Sequence, residues 1–221
     1  MKPDTTQTKG WPRLARGWAL SLAAWMLLVG TPASSRAGED ALYGPTAPPD
    51  SAFIRVFNAT DQAEVDARIA DAELTDIASW KVSEFAFVPA GTHKLIVGAL
   101  SQPLALQADH YYTAVANAGT VRLLDNTRYV NRLKAMVILY NLTDASRLSL
   151  RTHDGRASVI QNVAAYAFGT REVNPARAQL VVYDGEQKIA DAPTMTFARG
   201  KAYSLFVAGG SDKPRVVWAI N

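Results

Sequence analysis

Short runs of β-branched, aliphatic and aromatic residues, separated by turn-forming residues, dominate the chain, with little apolar recurrence at three and four; this pattern predicts strands. Arg147-Leu148-Ser149-Leu150-Arg151 alternates cleanly between two faces. The chain then passes through Thr152-His153 into Asp154-Gly155 and residues 157–161, a signal for a type I′ hairpin, whose two central residues both need positive φ. Asp184-Gly185 repeats the device after residues 180–183. Earlier, Pro89-Ala90-Gly91 and Asn117-Ala118-Gly119 mark turns, and residues 104–106, 111–116 and 121–124 read as strands. Residues 64–69 read as a strand through Val65, Ala67 and Ile69, although the Ala and Glu content of residues 61–78 leaves room for a short helix.

The strand pattern occurs twice. Ala52-Phe53-Ile54-Arg55-Val56-Phe57-Asn58-Ala59-Thr60 aligns with Ala135-Met136-Val137-Ile138-Leu139-Tyr140-Asn141-Leu142-Thr143 at an offset of 83. Residues 89–97 align with 175–182 at an offset of 86, and Tyr112-Thr113-Ala114-Val115 with Tyr203-Ser204-Leu205-Phe206 at an offset of 91. Offsets that drift by a few residues are those of a duplicated unit with altered loops. Several short strands per copy, in somewhat fewer than the roughly 100 residues of a seven-stranded sandwich, predict an all-β protein of two tandem immunoglobulin-like β-sandwiches. The expected boundaries are residues 51–124 for the first sandwich, 125–133 for a connector and 134–221 for the second. Residues 38–50, with Pro45, Pro48 and Pro49, read as an extended lead-in.

Residues 1–37 stand apart. A basic stretch with Lys2, Lys9, Arg13 and Arg16 precedes an apolar run over residues 17–29, a Gly30-Thr31-Pro32 break and Ser35-Arg36-Ala37. This is the layout of a secretory signal peptide cleaved after Ala37. The apolar run is shorter than the roughly 20 residues a membrane-crossing helix needs, so no stable membrane span is expected after cleavage. Removing the leader takes five basic residues and one acidic residue, which converts the net charge of +3 into −1. The basic excess that would suggest nucleic-acid binding is therefore lost. The chain has no cysteine, which excludes a disulfide framework, a cysteine-ligated metal and a lipid anchor on cysteine.

Candidate chemistry is sparse. Acyl transfer through serine needs a base, usually histidine, and an oxyanion hole, and the three histidines are His93, His110 and His153. None is accompanied by a Gly-x-Ser-x-Gly elbow, a Gly-Asp-Ser motif or a downstream Asp-x-x-His. There is also no His-Glu-x-x-His, phosphate loop or dinucleotide fingerprint. The expectation is a protein without enzymatic activity, metal or cofactor. Gly209-Gly210-Ser211-Asp212 reads as a hairpin turn ahead of a final strand. Asn58-Ala59-Thr60 and Asn141-Leu142-Thr143 match a glycosylation pattern, but their equivalent places in the repeat make a shared strand end the simpler cause.

The paired half-repeats, residues 137–144 and the Phe168-Gly169-Thr170-Arg171-Glu172-Val173-Asn174-Pro175 segment resemble the AlgF family, periplasmic accessory proteins of bacterial alginate O-acetylation. The first repeat is also similar to a broader group of extracytoplasmic immunoglobulin-like modules through residues 53–58, Phe87-Val88-Pro89-Ala90-Gly91 and Tyr111-Tyr112-Thr113. The AlgF resemblance implies a periplasmic, non-catalytic adaptor for exopolysaccharide modification in biofilms, with the alginate O-acetyltransferases as partners. The alternatives are a carbohydrate-binding module that holds alginate and an acetyl-relay subunit.

Trp80, Tyr111, Tyr112, Tyr129 and Trp218 could offer stacking faces to a glycan, but alternation puts one of the two adjacent tyrosines in a core, and Trp218 on the last strand is expected there too. Arg122, Arg128, Arg132 and Lys134 cluster in sequence around the connector. Arg128, Tyr129 and Arg132 are the first candidate contacts for a partner or for the polymer. Arg171, Glu172 and Asn174, in a polar stretch read as a link between strands, are the second.

Overall fold

The computed structural model describes residues 47–126, 128–210 and 213–220, all within one compact unit that begins at Thr46. The leader and its cleavage point at Ala37 lie outside the described residues. The first repeat forms β1 (Ser51–Asn58), β2 (Glu64–Ile69), β3 (Ala72–Ala78), β4 (Ala86–Pro89), β5 (Gly91–Val97), β6 (Leu100–Leu106), β7 (Tyr111–Asn117) and β8 (Thr120–Asn126). The second forms β9 (Ala135–Leu142), β10 (Leu148–Thr152), β11 (Ser158–Val163), β12 (Ala167–Val173), β13 (Ala176–Ala178), β14 (Leu180–Asp184), β15 (Gln187–Asp191), β16 (Met195–Phe197), β17 (Ala202–Ala208) and β18 (Arg215–Ile220). No helix occurs among the described residues, so residues 61–78 resolve into the strand alternative.

Each repeat is a sandwich of two four-stranded sheets. The first pairs β4-β1-β7-β8 with β3-β2-β5-β6; the second pairs β12-β9-β17-β18 with β11-β10-β14-β15, and β13 and β16 add a small ribbon. The sequence offsets are register-true. Ile54 pairs with Tyr112 in the parallel β1–β7 ladder, and Val137 with Tyr203 in the parallel β9–β17 ladder. Each tyrosine is buried and accepts a backbone N–H from five residues upstream: Gln107 at 3.0 Å for Tyr112, Ala198 at 2.8 Å for Tyr203.

The Asn-x-Thr segments are structural plugs. Asn58 Nδ2 donates to the carbonyls of Gln62 and Ile77, while its Oδ1 accepts from the N–H and hydroxyl of Thr60. Asn141 repeats this with Ala145, Val163 and Thr143. Both asparagine side chains are fully buried, and their complete hydrogen-bond satisfaction offsets the cost of that burial.

Two hairpin expectations need correction. Gly155, but not Asp154, has positive φ, and Gly155 N–H donates to Thr152 O at 2.8 Å, so the turn centres on His153-Asp154 and closes with a left-handed glycine. Asp184 belongs to β14, paired with Gln187, which makes Gly185-Glu186 the two-residue loop with the positive φ on the glycine.

Three apolar clusters organise the unit. One fills the first sandwich around Ile54, Ile69, Leu95 and Tyr112; a second fills the other around Leu139, Leu150, Val182 and Leu205. The third joins them: Phe57, Val115 and Leu124 from the β4-β1-β7-β8 sheet pack on Met136, Ile138, Tyr140 and Phe206 from the β12-β9-β17-β18 sheet. The layers thus stack four deep, with those two sheets inside. A strand covered on both faces has no polar side to show, which accounts for the apolar run of β9, buried at every position. Phe57, Phe206 and Tyr140 stack in series across this seam, with ring centroids 4.6 and 4.5 Å apart.

Candidate partner-binding surface

The histidine rings turn to carbonyl or carboxylate oxygens. His93 Nε2 lies 2.7 Å from Pro89 O, His110 Nδ1 lies 2.9 Å from Asp125 Oδ2, and His153 Nδ1 lies 3.8 Å from Asp191. The two carboxylate contacts are on exposed side chains, where such pairs stabilise little. Among the described residues no group of three His, Asp or Glu side chains could hold a metal ion.

The two sequence-selected groups converge. Arg171 and Glu172 do not sit in a loop: they belong to β12, an edge strand, opposite Val137 and Met136 of β9. Arg132 and Asn174 are exposed beside the same end. Asn131 of the connector donates from Nδ2 to Glu172 Oε2 at 2.8 Å and ties the connector to β12. Tyr129 donates its hydroxyl to Lys134 O and packs its ring against the apolar seam. Partial burial, with the Glu172 carboxylate nearby, holds the Tyr129 phenol above its ordinary range. Arg128 reaches Asp109 at 3.7 Å. Beside the connector, on the side of the first sandwich and β9, lies a small recess of about 210 Å³ lined by Phe85, Tyr111, Arg128, Tyr129 and Ile138.

Arg122 departs from the expected cluster, because β8 carries it to the far end of the inner sheets, where its guanidinium lies 4.3 Å from the Tyr166 ring. Arg215 covers Trp80 in the same way, at 4.6 Å, and contacts Asp61 at 3.3 Å. Trp80 and Tyr166 hold equivalent places in the turns Ala78–Lys81 and Ala164–Ala167, each with a left-handed backbone, φ of 58° and 57°. Each repeat therefore offers a turn aromatic to an arginine of the other. Bulky residues adopt this conformation only when surroundings enforce it, and here backbone hydrogen bonds close both turns, Lys81 N–H to Ala78 O at 3.1 Å and Ala167 N–H to Ala164 O at 3.2 Å. The two rings flank a polar cleft of about 510 Å³ that also includes Asp144 and Arg122. Of the other candidate stacking residues, Tyr112 is in the core, Tyr111 stacks on Phe53 at 4.5 Å, and Trp218 is half-buried against Phe197 with its indole N–H on Pro193 O.

Sequence reasoning missed Arg55, the largest fully buried side chain. Its Nε donates to Thr113 at 3.0 Å and its Nη2 to Ser204 at 2.9 Å. Asn126 donates to Thr113, and Tyr140 donates to Asn126, so the network crosses the seam twice. Burial lowers the Arg55 pKa, opposed by Tyr140 and Glu84; the guanidinium nonetheless stays a cation, covered by the rings of Phe85 and Phe206 at 4.7 and 5.5 Å. The available signal was a charge inside an otherwise apolar strand.

Comparison with known proteins gives a consistent result. A family model described as "Alginate O-acetyl transferase AlgF" matches residues 19–204. The Alginate biosynthesis protein AlgF of Pseudomonas fluorescens is 40% identical over 207 residues, covering 93% of each chain. Its namesake from Pseudomonas aeruginosa is 37% identical over 214 residues, covering 96% of this chain and 94% of the relative. A solved structure of the C-terminal domain of AlgF from P. aeruginosa aligns at 37% identity, with a TM-score of 0.37, over 40% of this chain and 99% of that one.

Proposed function

Because this chain belongs to the AlgF family, and so takes part in alginate biosynthesis and its O-acetylation, we propose that it works as a non-catalytic periplasmic adaptor that holds acetyltransferases of the pathway in place. The observation that carries the reading is the Asn131–Glu172 hydrogen bond. It ties the connector, which carries the exposed Arg128 and Arg132, to the β12 edge, which carries the exposed Arg171 and leads into Asn174. Arginine beside a half-buried tyrosine is the composition of interface anchors. On this reading the word transferase in the family description names the reaction of the pathway rather than chemistry done by this chain. The leader-like layout of residues 1–37 supports the location, and no helix among the described residues is long and apolar enough to cross a membrane.

A pull-down from periplasm with the processed chain, coupled to an alginate titration, tests the reading. The adaptor reading expects an acetyltransferase to be retained, with retention lost in an Arg128→Ala/Arg171→Ala variant, and no saturable alginate binding. Saturable, salt-sensitive alginate binding lost with Trp80→Ala would instead favour a glycan module at the Trp80–Tyr166 cleft. A covalent acetyl group found on the purified chain by mass spectrometry would favour a relay.

A further inference from the structure

In the first sandwich, β3 and β4 are the edge strands of their respective sheets and run next to each other. Between them opens an apolar groove of about 580 Å³, with Phe85, Phe87, Val88, Pro48 and Ala72 among its walls. The same side of the second sandwich is shut. There β11 and β12 approach so closely that a Cβ on Gly169 would stand 2.8 Å from the Ile160 side chain and 2.9 Å from Val163. The duplicated unit has one open edge and one closed edge.

The edges also differ in chemistry. Phe87 pairs with Phe53 on β1, and Glu172 pairs with Met136 on β9; the β1–β9 offset of 83, which aligns Phe53 with Met136 and Ile54 with Val137, makes Phe87 the ladder counterpart of Glu172 and Ala86 that of Arg171. Charged residues on an edge strand discourage another chain from pairing with it, and β4 carries Ala86-Phe87-Val88 instead. Ala90 N–H donates to Asp50 O at 3.0 Å, so antiparallel alternation turns the Val88 and Ala86 peptide groups toward β1 and those of Phe87 toward the open side. Phe87 is also exposed. Three carboxylates, Asp50, Asp71 and Glu73, border the groove; Glu73 is held by Arg68 at 3.0 Å. An apolar wall, outward peptide groups and an acidic border lie together.

We propose that the β4 edge receives an extended segment of a partner protein as an added strand, with apolar side chains at alternate positions filling the groove and basic residues at its end meeting Asp50 and Asp71. Main-chain bonds would give such a contact its affinity, and the groove its selectivity. This rests on the adaptor reading and supplies it with a second surface, which borders the connector recess at Phe85.

The test uses the processed chain and a fluorescent ten-residue peptide of alternating Val and Thr ending in two Lys, with a control peptide ending in two Glu. Saturable binding of the Lys peptide is expected, at least tenfold weaker for the Glu peptide and for Phe87→Lys, a change at an exposed site. Amide-exchange protection of Phe87 on binding is the second readout, independent of any substitution. Equal binding of both peptides, full binding by Phe87→Lys, or binding by the unsubstituted chain without protection of the Phe87 amide overturns the proposal. So does self-association of the chain abolished by Phe87→Lys, which would make a second copy the occupant. Binding seen only after residues 38–46 are deleted would assign the groove to the chain's own upstream segment and also overturn it. If the peptide result holds while no acetyltransferase is retained from periplasm, the adaptor reading fails and the groove stands; the reverse outcome spares the reading and removes the groove.

Discussion

The Arg55 guanidinium, on the central strand β1 of the first sandwich, donates a 2.9 Å hydrogen bond to the Ser204 hydroxyl on β17 of the second. A cation taken out of water keeps its place only if its donors are met, and Arg55 meets them by drawing on both repeats. Arg55→Ala should therefore lower the unfolding free energy by about 3 kcal/mol, through lost packing and unmatched hydroxyls. Arg55→Lys, which keeps charge but not the planar fork, should cost about 1–2 kcal/mol. Urea denaturation followed by tryptophan fluorescence measures both, and unchanged midpoints would remove Arg55 as an anchor of the seam.

Asn58 and Asn141 each satisfy two carbonyls and a threonine inside their own repeat. Replacing either by alanine strands those buried groups and should cost about 1–3 kcal/mol. Thermal melts of the two single variants should show similar losses, because the plugs are geometrically alike.

The crossed Trp80–Arg215 and Tyr166–Arg122 stacks should each give a coupling energy of about 0.5–1 kcal/mol in a double-mutant cycle. A coupling near zero at both would mean that the arginines only rest over the rings.

On the rim of the second sandwich, the bidentate hydrogen bonds from Arg151 hold the Glu186 carboxyl below its ordinary 4.5, and the Thr152 hydroxyl, followed by the Arg156 N–H, holds Asp154 below 3.8. A group with a lowered pKa when folded contributes stability above its unfolded value and loses it as pH falls through the folded value. The melting temperature should therefore decline as pH drops below about 4.5, and Glu186→Gln should decline less over that window than the parent. An identical acid slope in both would show that the pair is not linked to folding.

Much of the fold was legible in the chain. Tyr112 and Tyr203, found by alignment at an offset of 91, occupy matching positions beside Ile54 and Val137, because the same buried hydroxyl contact requires tyrosine in both copies. The stacking of the sandwiches was not legible. An apolar run such as residues 135–140 states that a strand is buried on two faces, but not what covers the second, and Arg55 gave no hint that its partner lay 149 residues away at Ser204. The connector and β12 were selected separately for polarity; their union through Asn131 and Glu172 depends on how the β9–β12 pairing brings the end of β12 back to the connector, which no local pattern encodes. Residues 171–173 looked like a loop because an edge strand with one face in solvent tolerates charge as readily as a loop does.

The central claim is that this chain acts by holding other proteins rather than by turning over acetyl groups. The most direct measurement is the acetyl content of alginate from a strain lacking the natural copy and complemented with variants present at equal, folded levels. A chain with His93, His110 and His153 all changed to Gln should restore acetylation fully, while Arg128→Ala/Arg171→Ala should leave it severely reduced. Loss of acetylation in the histidine variant, with full restoration by the arginine variant, would contradict the account.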